Sequence, residues 1–291
     1  MNIFITGATG YIGSAIARRM VAAGHRVVGL ARSEQSVHQL TNLGIHPHRG
    51  DLMDRDSILF AAREADAAVH AAAPGNDSNC EADEITVAAI LDVFAETGKC
   101  FVYTSGIWVL GPTGDSVADE DWPLNPFDTV AWRPEIERRV LHAAEHGVRT
   151  VVIRPGVVYG EGKGIPAMLR PRADGAVPFV GDGSNRWPVV DVGDLAQLYA
   201  LAIEKAAPGS LFLAVSENVR VRDVAEAMRE GQRAARVEPI PLETARIRLG
   251  LFADALVLDQ QASGKLAMQM LGWAPQAPSL IKDLQAGSYV A

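Results

Sequence analysis

Glycines recur at every third position in the segment ITGATGYIGSAIARRM. The segment follows the apolar run NIFIT and continues as an amphipathic stretch, so its glycines lie where a strand turns into a helix. Glycine lets the backbone approach a pyrophosphate at such a turn, and the first N–H groups of the helix are free to bind it. The segment therefore predicts a dinucleotide-binding loop, in which the cofactor contacts come from Gly7, Thr9, Gly10, Tyr11, Ile12 and Gly13.

The residues after the second apolar run, HRVVGL, indicate which dinucleotide binds. An acidic side chain there would accept hydrogen bonds from the free 2′-hydroxyl of NAD. This chain has Ala31, Arg32 and Ser33 instead. Arg32 can pair with the 2′-phosphate of NADP, and Ser33 can add a hydroxyl donor. We therefore expect NADP as the cofactor and NAD as the alternative, although Arg32 also fits a solvated loop.

Short apolar runs alternate with helical stretches through the first half of the chain. This alternation predicts right-handed crossovers and a parallel sheet, which together make a doubly wound α/β Rossmann fold. Beyond Arg154 the chain is rich in glycine and proline before a helix resumes. We expect a dinucleotide-binding core of residues 1–156 and 187–206, and a smaller C-terminal substrate lobe of residues 157–186 and 207–291.

The composition limits the classes of partner. The chain has 291 residues, a net charge of −8 and 48% hydrophobic residues, which predicts a globular protein that does not bind nucleic acid. No apolar run is long enough for a membrane span and no basic leader precedes the first strand, so we expect a cytoplasmic protein without membrane contacts. Cys80 and Cys100 lack metal-ligand spacing and are interpreted as structural thiols, so no metal site is predicted.

Seven short motifs stand in the order found in the extended short-chain dehydrogenase/reductase family: TGATGYIG, RGDLMD, AAVHAAAP, FVYTSG, IRPGVVYGEG, DVGDLA and LGWAP. The chain resembles in particular the atypical members related to NAD-dependent epimerases and dehydratases. The resemblance implies that Asp51 and Leu52 lie along the adenine, although Asp51 also fits the cap of a helix that begins near Asp54. It further implies cofactor contacts from Ala71, Ala72, Ala73, Pro155, Gly156, Val157 and Val158.

The same resemblance draws attention to the segment PFDTVAWRPEIERRVLHA, which contains neither tyrosine nor lysine. In the family, a tyrosine followed four residues later by a lysine exchanges a proton with the substrate while hydride moves to or from the nicotinamide. Alignment on Glu137 places Thr129 and Arg133 at these two positions. A threonine hydroxyl ionises too weakly for this role. Arg133 can hold the cofactor ribose or stabilise an oxyanion, but it does not shuttle protons easily.

Other groups must therefore act on the substrate oxygen. The strand YTSGIWVLG has a glycine at the position of the family's serine, and a shift of one residue gives Ser105. Tyr159, in the segment GVVYGEG, is expected to face the nicotinamide. We therefore predict Ser105, Tyr159 and Arg133 as catalytic residues. Thr104 and Arg133 are also predicted to contact the cofactor.

The arginine that binds the diphosphate of nucleotide sugars in related epimerases is displaced in this chain. Trp187 follows the GDG loop at the distance at which that arginine stands in the related epimerases. Arg186 comes one residue before this position. We therefore predict a small-molecule substrate and an NADP-dependent oxidoreductase that acts on a small carbonyl or hydroxyl compound. Two alternatives stay open, an epimerase or dehydratase acting on a nucleotide sugar and a non-catalytic NADP-binding regulatory protein. A homodimer is a further possibility.

Overall fold

A computed structural model describes residues 1–75 and 78–290. The strands are β1 (Asn2–Thr6), β2 (Arg26–Ala31), β3 (His46–Arg49), β4 (Ala67–His70), β5 (Cys100–Thr104), β6 (Arg149–Pro155), β7 (Val157–Gly160), β8 (Lys163–Gly164), β9 (Ala176–Val180), β10 (Arg186–Asp191), β11 (Ser210–Ala214), β12 (Glu217–Arg220) and β13 (Arg236–Ile240). The α-helices are α1 (Tyr11–Ala22), α2 (Glu34–Asn42), α3 (Arg55–Arg63), α4 (Asn79–Phe94), α5 (Arg133–His142), α6 (Val192–Lys205), α7 (Val221–Gly231), α8 (Leu242–Leu249), α9 (Phe252–Leu256), α10 (Lys265–Leu271) and α11 (Leu280–Gln285). Within these described residues, no helix has the length and apolar character that crossing a bilayer requires.

The large sheet is parallel and has the strand order β11-β6-β5-β4-β1-β2-β3. In this register Ile3 of β1 pairs with Val27 of β2 on one side and with Ala67 of β4 on the other. The strand order changes direction between β1 and β4. Such a switch point, outside the carboxyl ends of the strands, is where doubly wound proteins bind their ligands. The predicted doubly wound α/β fold is confirmed.

Both faces of this sheet are covered by helices. Ile3 and Ile5 are fully buried in a core shared with Ile16 of α1. Phe4 points to the opposite face and is fully buried with Ile90 of α4. Because successive residues of a strand face opposite sides, a strand covered on both faces must be apolar throughout. This explains the uninterrupted apolar run at the start of the chain.

A smaller lobe lies beside the large sheet. It contains the four-stranded sheet β12-β10-β7-β8 and the pair β13-β9. Trp187 and Tyr289 are buried in its core, and the indole Nε1 of Trp187 donates to the Leu256 carbonyl at 3.0 Å. The Tyr11 hydroxyl donates to the Gly160 carbonyl at 2.8 Å, which joins the start of α1 to this lobe.

Two strands do not follow the predicted domain boundaries, although the division into two domains itself stays a prediction. Most of β10 was assigned to the core, but Val189 of β10 pairs with Val157 in the smaller sheet. β11 was assigned to the lobe, but Phe212 of β11 pairs with Ile153 at the edge of the large sheet. The chain therefore crosses between the two sheets more than once. Local sequence patterns do not report such pairings, since the partners are distant along the chain.

Candidate cofactor and substrate site

The glycine loop lies at the carboxyl end of β1 and is closed tightly by its own backbone. The Gly10 N–H donates to the Gly7 carbonyl at 2.8 Å, and Gly7 has the left-handed φ of +77°. No side chain caps α1, and its first turn contains no acidic residue. The first N–H groups of a helix have no acceptor within the helix, so this end of α1 can bind an anionic group. The residues present fit the pyrophosphate of a dinucleotide.

A groove of about 540 Å³ extends from this loop across the carboxyl ends of β1, β2 and β4. We call it the dinucleotide groove. It is lined by most of the predicted cofactor residues, namely Gly7, Thr9, Gly10, Tyr11, Ile12, Arg32, Asp51, Leu52, Ala71, Ala72 and Ala73. Of the residues predicted at the glycine loop and after β2, Gly13 and Ser33 do not line it. Gly13 lies under the loop, where a Cβ atom would stand 2.1 Å from the Gly7 carbonyl oxygen. Ser33 caps α2, and its hydroxyl oxygen accepts from the Ser36 N–H at 3.1 Å.

Two charged residues of the dinucleotide groove, Arg32 and Asp51, differ in the hydrogen bonds that they make within the protein. Arg32 is exposed at the end of β2, and its guanidinium has no hydrogen bond or ion pair among residues 1–75 and 78–290. Asp51 accepts from the Met53 N–H at 2.9 Å. Asp51 is not the cap of α3, because Asp54 accepts from the first N–H groups of that helix. Arg32 and Asp51 are thus both open to a ligand, although their contacts with one stay predictions.

A second cavity, of about 290 Å³, adjoins the groove and shares Tyr11 and Ile12 with it. We call it the apolar cavity. Its walls include Ile107, Trp108 and Ile165, and Arg133 is the one charged residue that the described part of the chain contributes to its lining. Among the predicted site residues, the structure brings together here Tyr11, Ile12, Ser105, Arg133, Pro155, Gly156, Val157 and Val158.

Ser105 follows β5 directly and faces the apolar cavity. Its N–H donates to the Ile153 carbonyl at 2.8 Å, which fixes the backbone against β6. Its hydroxyl is buried and has no hydrogen-bond partner in the described part of the chain. A buried hydroxyl without a partner is costly, so this group has unused hydrogen-bonding capacity beside the cavity that Ser105 lines. Thr104 differs, because its hydroxyl oxygen accepts from the Tyr199 hydroxyl at 2.7 Å and it does not line the cavity.

Arg133 begins α5 and brings its guanidinium to the same cavity. Its Nη1 donates to the Thr104 carbonyl at 2.9 Å, and its guanidinium carbon lies 5.6 Å from the centre of the Trp132 ring. The Nε atom is buried and has no acceptor among the described residues. Thr129 lies one turn earlier. Its hydroxyl is also buried without a partner there, but Thr129 lines neither the groove nor the cavity.

Asp83 of α4 is the centre of a buried hydrogen-bond network that the sequence did not reveal. Its Oδ1 lies 3.0 Å from His70 Nε2, and its Oδ2 accepts from the Tyr103 hydroxyl at 2.7 Å and from Trp132 Nε1 at 3.2 Å. The other His70 nitrogen, Nδ1, lies 2.6 Å from the Thr6 hydroxyl. An ionised carboxylate only accepts, so the His70 proton must be on Nε2. The network joins β1, β4, β5 and the residue before α5.

The electrostatics of Asp83 follow from these contacts. Burial alone would raise the pKa of its carboxyl. The hydrogen bond and charge of His70, the charge of Arg133 and the hydrogen bond of Tyr103 outweigh burial and hold the pKa below its usual value. These contacts favour the ionised form of Asp83, whose charge interacts with that of Arg133 in the lining of the apolar cavity.

The prediction for Tyr159 needs correction, because the structure does not bring its phenol to the apolar cavity. Its side chain is 2% exposed within the lobe, and its hydroxyl donates to the Pro278 carbonyl at 2.8 Å. The other tyrosine hydroxyls of the chain are engaged in the same way, because each donates to an acceptor within the protein. Burial raises the pKa of each of these groups: Tyr11, Tyr103, Tyr159, Tyr199 and Tyr289.

The residues at the position of the diphosphate-binding arginine are also engaged within the protein. Arg186 forms ion pairs with Asp259 at 2.9 Å and with Asp115 at 3.0 Å. Trp187 is 3% exposed and packs in the lobe. Neither residue lines the dinucleotide groove or the apolar cavity.

The parallel sheet, the glycine loop at its switch point and the adjoining apolar cavity define a dinucleotide-binding Rossmann protein of the reductase and epimerase type. The sequence model of the NAD dependent epimerase/dehydratase family matches residues 3–213, and the chain belongs to this family.

Individual relatives agree with this assignment. The chain is 33% identical to an uncharacterised protein of Schizosaccharomyces pombe, across 99% of this chain and 100% of the relative. It is 29% identical to a 2-alkyl-3-oxoalkanoate reductase of Stenotrophomonas maltophilia, across 88% of this chain and 83% of the relative. Its fold matches the UDP-glucose 4-epimerase of Thermus thermophilus, solved with NAD, at a TM-score of 0.81 and 23% identity across the whole of both chains.

Proposed function

We propose that this protein is an NADP-dependent oxidoreductase that acts on a small carbonyl or hydroxyl compound. The observation that carries the proposal is the junction of the two cavities. Tyr11 and Ile12 belong to both, so a dinucleotide bound along the groove ends where Ser105 has an unpartnered hydroxyl. The walls around this hydroxyl are apolar and suit a ligand that is largely hydrocarbon.

The chain's own residues account for the binding of the cofactor. The start of α1 would hold the pyrophosphate, Arg32 the 2′-phosphate, and residues 155–158 the nicotinamide end. When bound, NADPH supplies hydride to the carbonyl carbon, or NADP accepts it in the reverse direction. The apolar walls lower the local dielectric at this position, which strengthens each polar contact made there.

The substrate oxygen needs a hydrogen-bond donor and, for reduction, a proton. We infer that Ser105 donates to that oxygen and that Arg133 stabilises negative charge that develops on it, since both residues line the apolar cavity. With every phenol engaged elsewhere, the proton that completes the alcohol comes from water through the Ser105 hydroxyl. General acid assistance contributes about 10² to 10⁴ to a rate, so positioning and electrostatics still leave a working enzyme without the tyrosine.

The relatives support a carbonyl substrate. Besides the 2-alkyl-3-oxoalkanoate reductase, they include a ketoreductase of Stigmatella aurantiaca that is 28% identical across 94% of this chain. The engagement of Arg186 with Asp259 and Asp115 weighs against a nucleotide-sugar diphosphate. The cytoplasmic location and the homodimer stay predictions from the sequence.

The preference for NADP can be tested at Arg32. Arg32→Ala should weaken NADPH binding by about tenfold or more, since a charge-assisted contact to the 2′-phosphate is lost, while NADH binding stays unchanged. Calorimetric titration of both cofactors measures the difference. Arg55→Ala is the control, because Arg55 is paired with Asp92 and does not line the groove. Equal losses for NADPH and NADH in Arg32→Ala would refute the assignment.

The oxidoreductase activity can be tested at Ser105. NADPH oxidation should be measured on a panel of aliphatic and aromatic ketones and aldehydes. Ser105→Ala should lower kcat/KM on the best substrate by about 10² or more, because the oxygen loses its donor. Thr129→Val removes another buried, unpartnered hydroxyl that lines no cavity, and it should stay within about twofold of wild type. A lack of turnover on the whole panel despite tight NADPH binding would contradict the proposal and favour the regulatory alternative.

A further inference from the structure

We infer that the apolar cavity recognises a carboxylate through Arg133, so that the substrate is an oxo acid with an apolar body. This inference deepens the proposed function and rests on it for the oxo group. The recognition of the carboxylate can be tested by binding alone.

The first step of the argument is the charge of the cavity. Arg133 is its one charged lining residue, and no carboxylate lies within ion-pair distance of Arg133 among residues 1–75 and 78–290. A guanidinium surrounded by apolar side chains is unfavourable unless an anion or several acceptors satisfy it. The Asp83 carboxylate acts on this charge from a distance, but its oxygens accept from His70, Tyr103 and Trp132 and make no hydrogen bond to the guanidinium.

The second step concerns the N–H donors of Arg133 that have no acceptor in the protein. Arginine has five N–H donors, and only the bond from Nη1 to the Thr104 carbonyl is found within the described chain. That bond anchors one end of the guanidinium, while Nε is buried with no acceptor. A carboxylate can accept two parallel N–H bonds from an arginine, which makes it the ligand group that best matches this side chain.

The third step concerns the cofactor. Its phosphates are expected at the start of α1 and beside Arg32, both of which belong to the dinucleotide groove. Ribose hydroxyls can accept from Arg133, but they are neutral and add nothing to the distant counter-charge of Asp83. A substrate carboxylate adds a counter-charge at hydrogen-bond distance. The cavity of about 290 Å³ also receives the nicotinamide end beside residues 155–158, so the remaining space suits a substrate with a short chain or a single ring, its oxo group toward Ser105.

The test compares two probes of nearly the same shape, 3-phenylpropanoate and 3-phenylpropanamide. Each is titrated by calorimetry into the protein saturated with NADPH. The acid should bind at least about tenfold more tightly than the amide, because only the acid forms charge-assisted bonds to Arg133. Arg133→Gln should remove this preference, and Arg133→Lys should retain part of it. Arg138→Gln, an exposed position on the same helix that is paired with Glu135, should leave it unchanged.

The outcomes separate the two proposals. Equal affinities of acid and amide in the wild-type protein would overturn the inference without any variant, so a misfolded Arg133→Gln protein does not leave it untested. A preference that persists in folded Arg133→Gln would overturn it as well. Turnover then decides the substrate class, since 2-oxo-4-phenylbutanoate should be reduced with a kcat/KM at least tenfold above that of its ethyl ester. Reduction of neutral ketones with no preference for acids would overturn the inference and keep the proposed function.

Discussion

Replacing Gly13 by alanine should lower the free energy of unfolding by about 3 kcal/mol and abolish dinucleotide binding. A Cβ atom at Gly13 would stand 2.1 Å from the Gly7 carbonyl oxygen and 2.6 Å from its carbonyl carbon. Both are backbone atoms, so the loop itself must move. Movement of Gly7 would break the bond from the Gly10 N–H that closes the turn. Urea denaturation and calorimetry with NADPH measure the two losses.

Gly10→Val is the matched control. It should block the space that the cofactor occupies without disrupting the backbone of the loop. The nearest atom to a Cβ at Gly10 is the Gly7 carbonyl oxygen at 3.2 Å, so the loop needs to shift by only a few tenths of an ångström, far less than at Gly13. Gly10 lines the dinucleotide groove, and a branched side chain there would occupy space that the cofactor needs. The variant should stay within about 1–2 kcal/mol of wild-type stability and lose NADPH binding. Unchanged stability in Gly13→Ala, or full affinity in folded Gly10→Val, would show that the loop does not form a tight cradle.

The dinucleotide groove was largely predictable because its determinants are local. The spacing of the glycines fixes the turn from β1 to α1 within a few residues, and Arg32 follows β2 directly. Asp51 follows β3 and the residues Ala71 to Ala73 follow β4, and the carboxyl ends of all strands of a parallel sheet lie at one edge. A prediction of this kind needs only the strand order and the direction of the chain.

The interior of the lobe was not predictable in the same way. Tyr159 stands in a segment that reaches the apolar cavity, since its neighbours Val157 and Val158 line it. Whether the phenol faces the cavity depends on Pro278, which lies 119 residues further along the chain. The positions of β10 in the smaller sheet and of β11 at the edge of the large sheet differ from the prediction for the same reason. Each pairing is decided by partners that no local pattern indicates.

The Asp83 network shows the same limit more sharply, because its members come from separate elements. The partners His70, Tyr103 and Trp132 lie 13, 20 and 49 residues from Asp83. A signal was present in the sequence, since an acidic residue stands among apolar residues of α4 that are buried in the fold. That signal indicates a satisfied buried carboxylate, but it does not identify the donors.

Asp83→Ala should lower the free energy of unfolding at neutral pH by about 3–5 kcal/mol, as expected when one partner of a buried, hydrogen-bonded charge is removed. Three donors, from His70, Tyr103 and Trp132, would lose their acceptor inside the protein. Asp83→Asn keeps the size of the side chain but not its charge, so it should lower the free energy of unfolding by less than Asp83→Ala does. Glu84→Ala is the control, since Glu84 is the exposed next residue of α4 and should change stability by about 0.5 kcal/mol or less.

The pH dependence of this loss distinguishes the charge of Asp83 from its packing. Because the folded protein holds the pKa of Asp83 below its usual value, ionised Asp83 stabilises the fold at pH values above the unfolded pKa of about 3.9. This contribution disappears as the pH falls through the folded pKa. The stability difference between wild type and Asp83→Asn, measured by urea denaturation from pH 7 downward, should therefore shrink below about pH 4. A difference that stays constant over this range would mean that Asp83 acts through its shape and hydrogen bonds alone, and that its charge does not stabilise the network with His70, Tyr103 and Trp132.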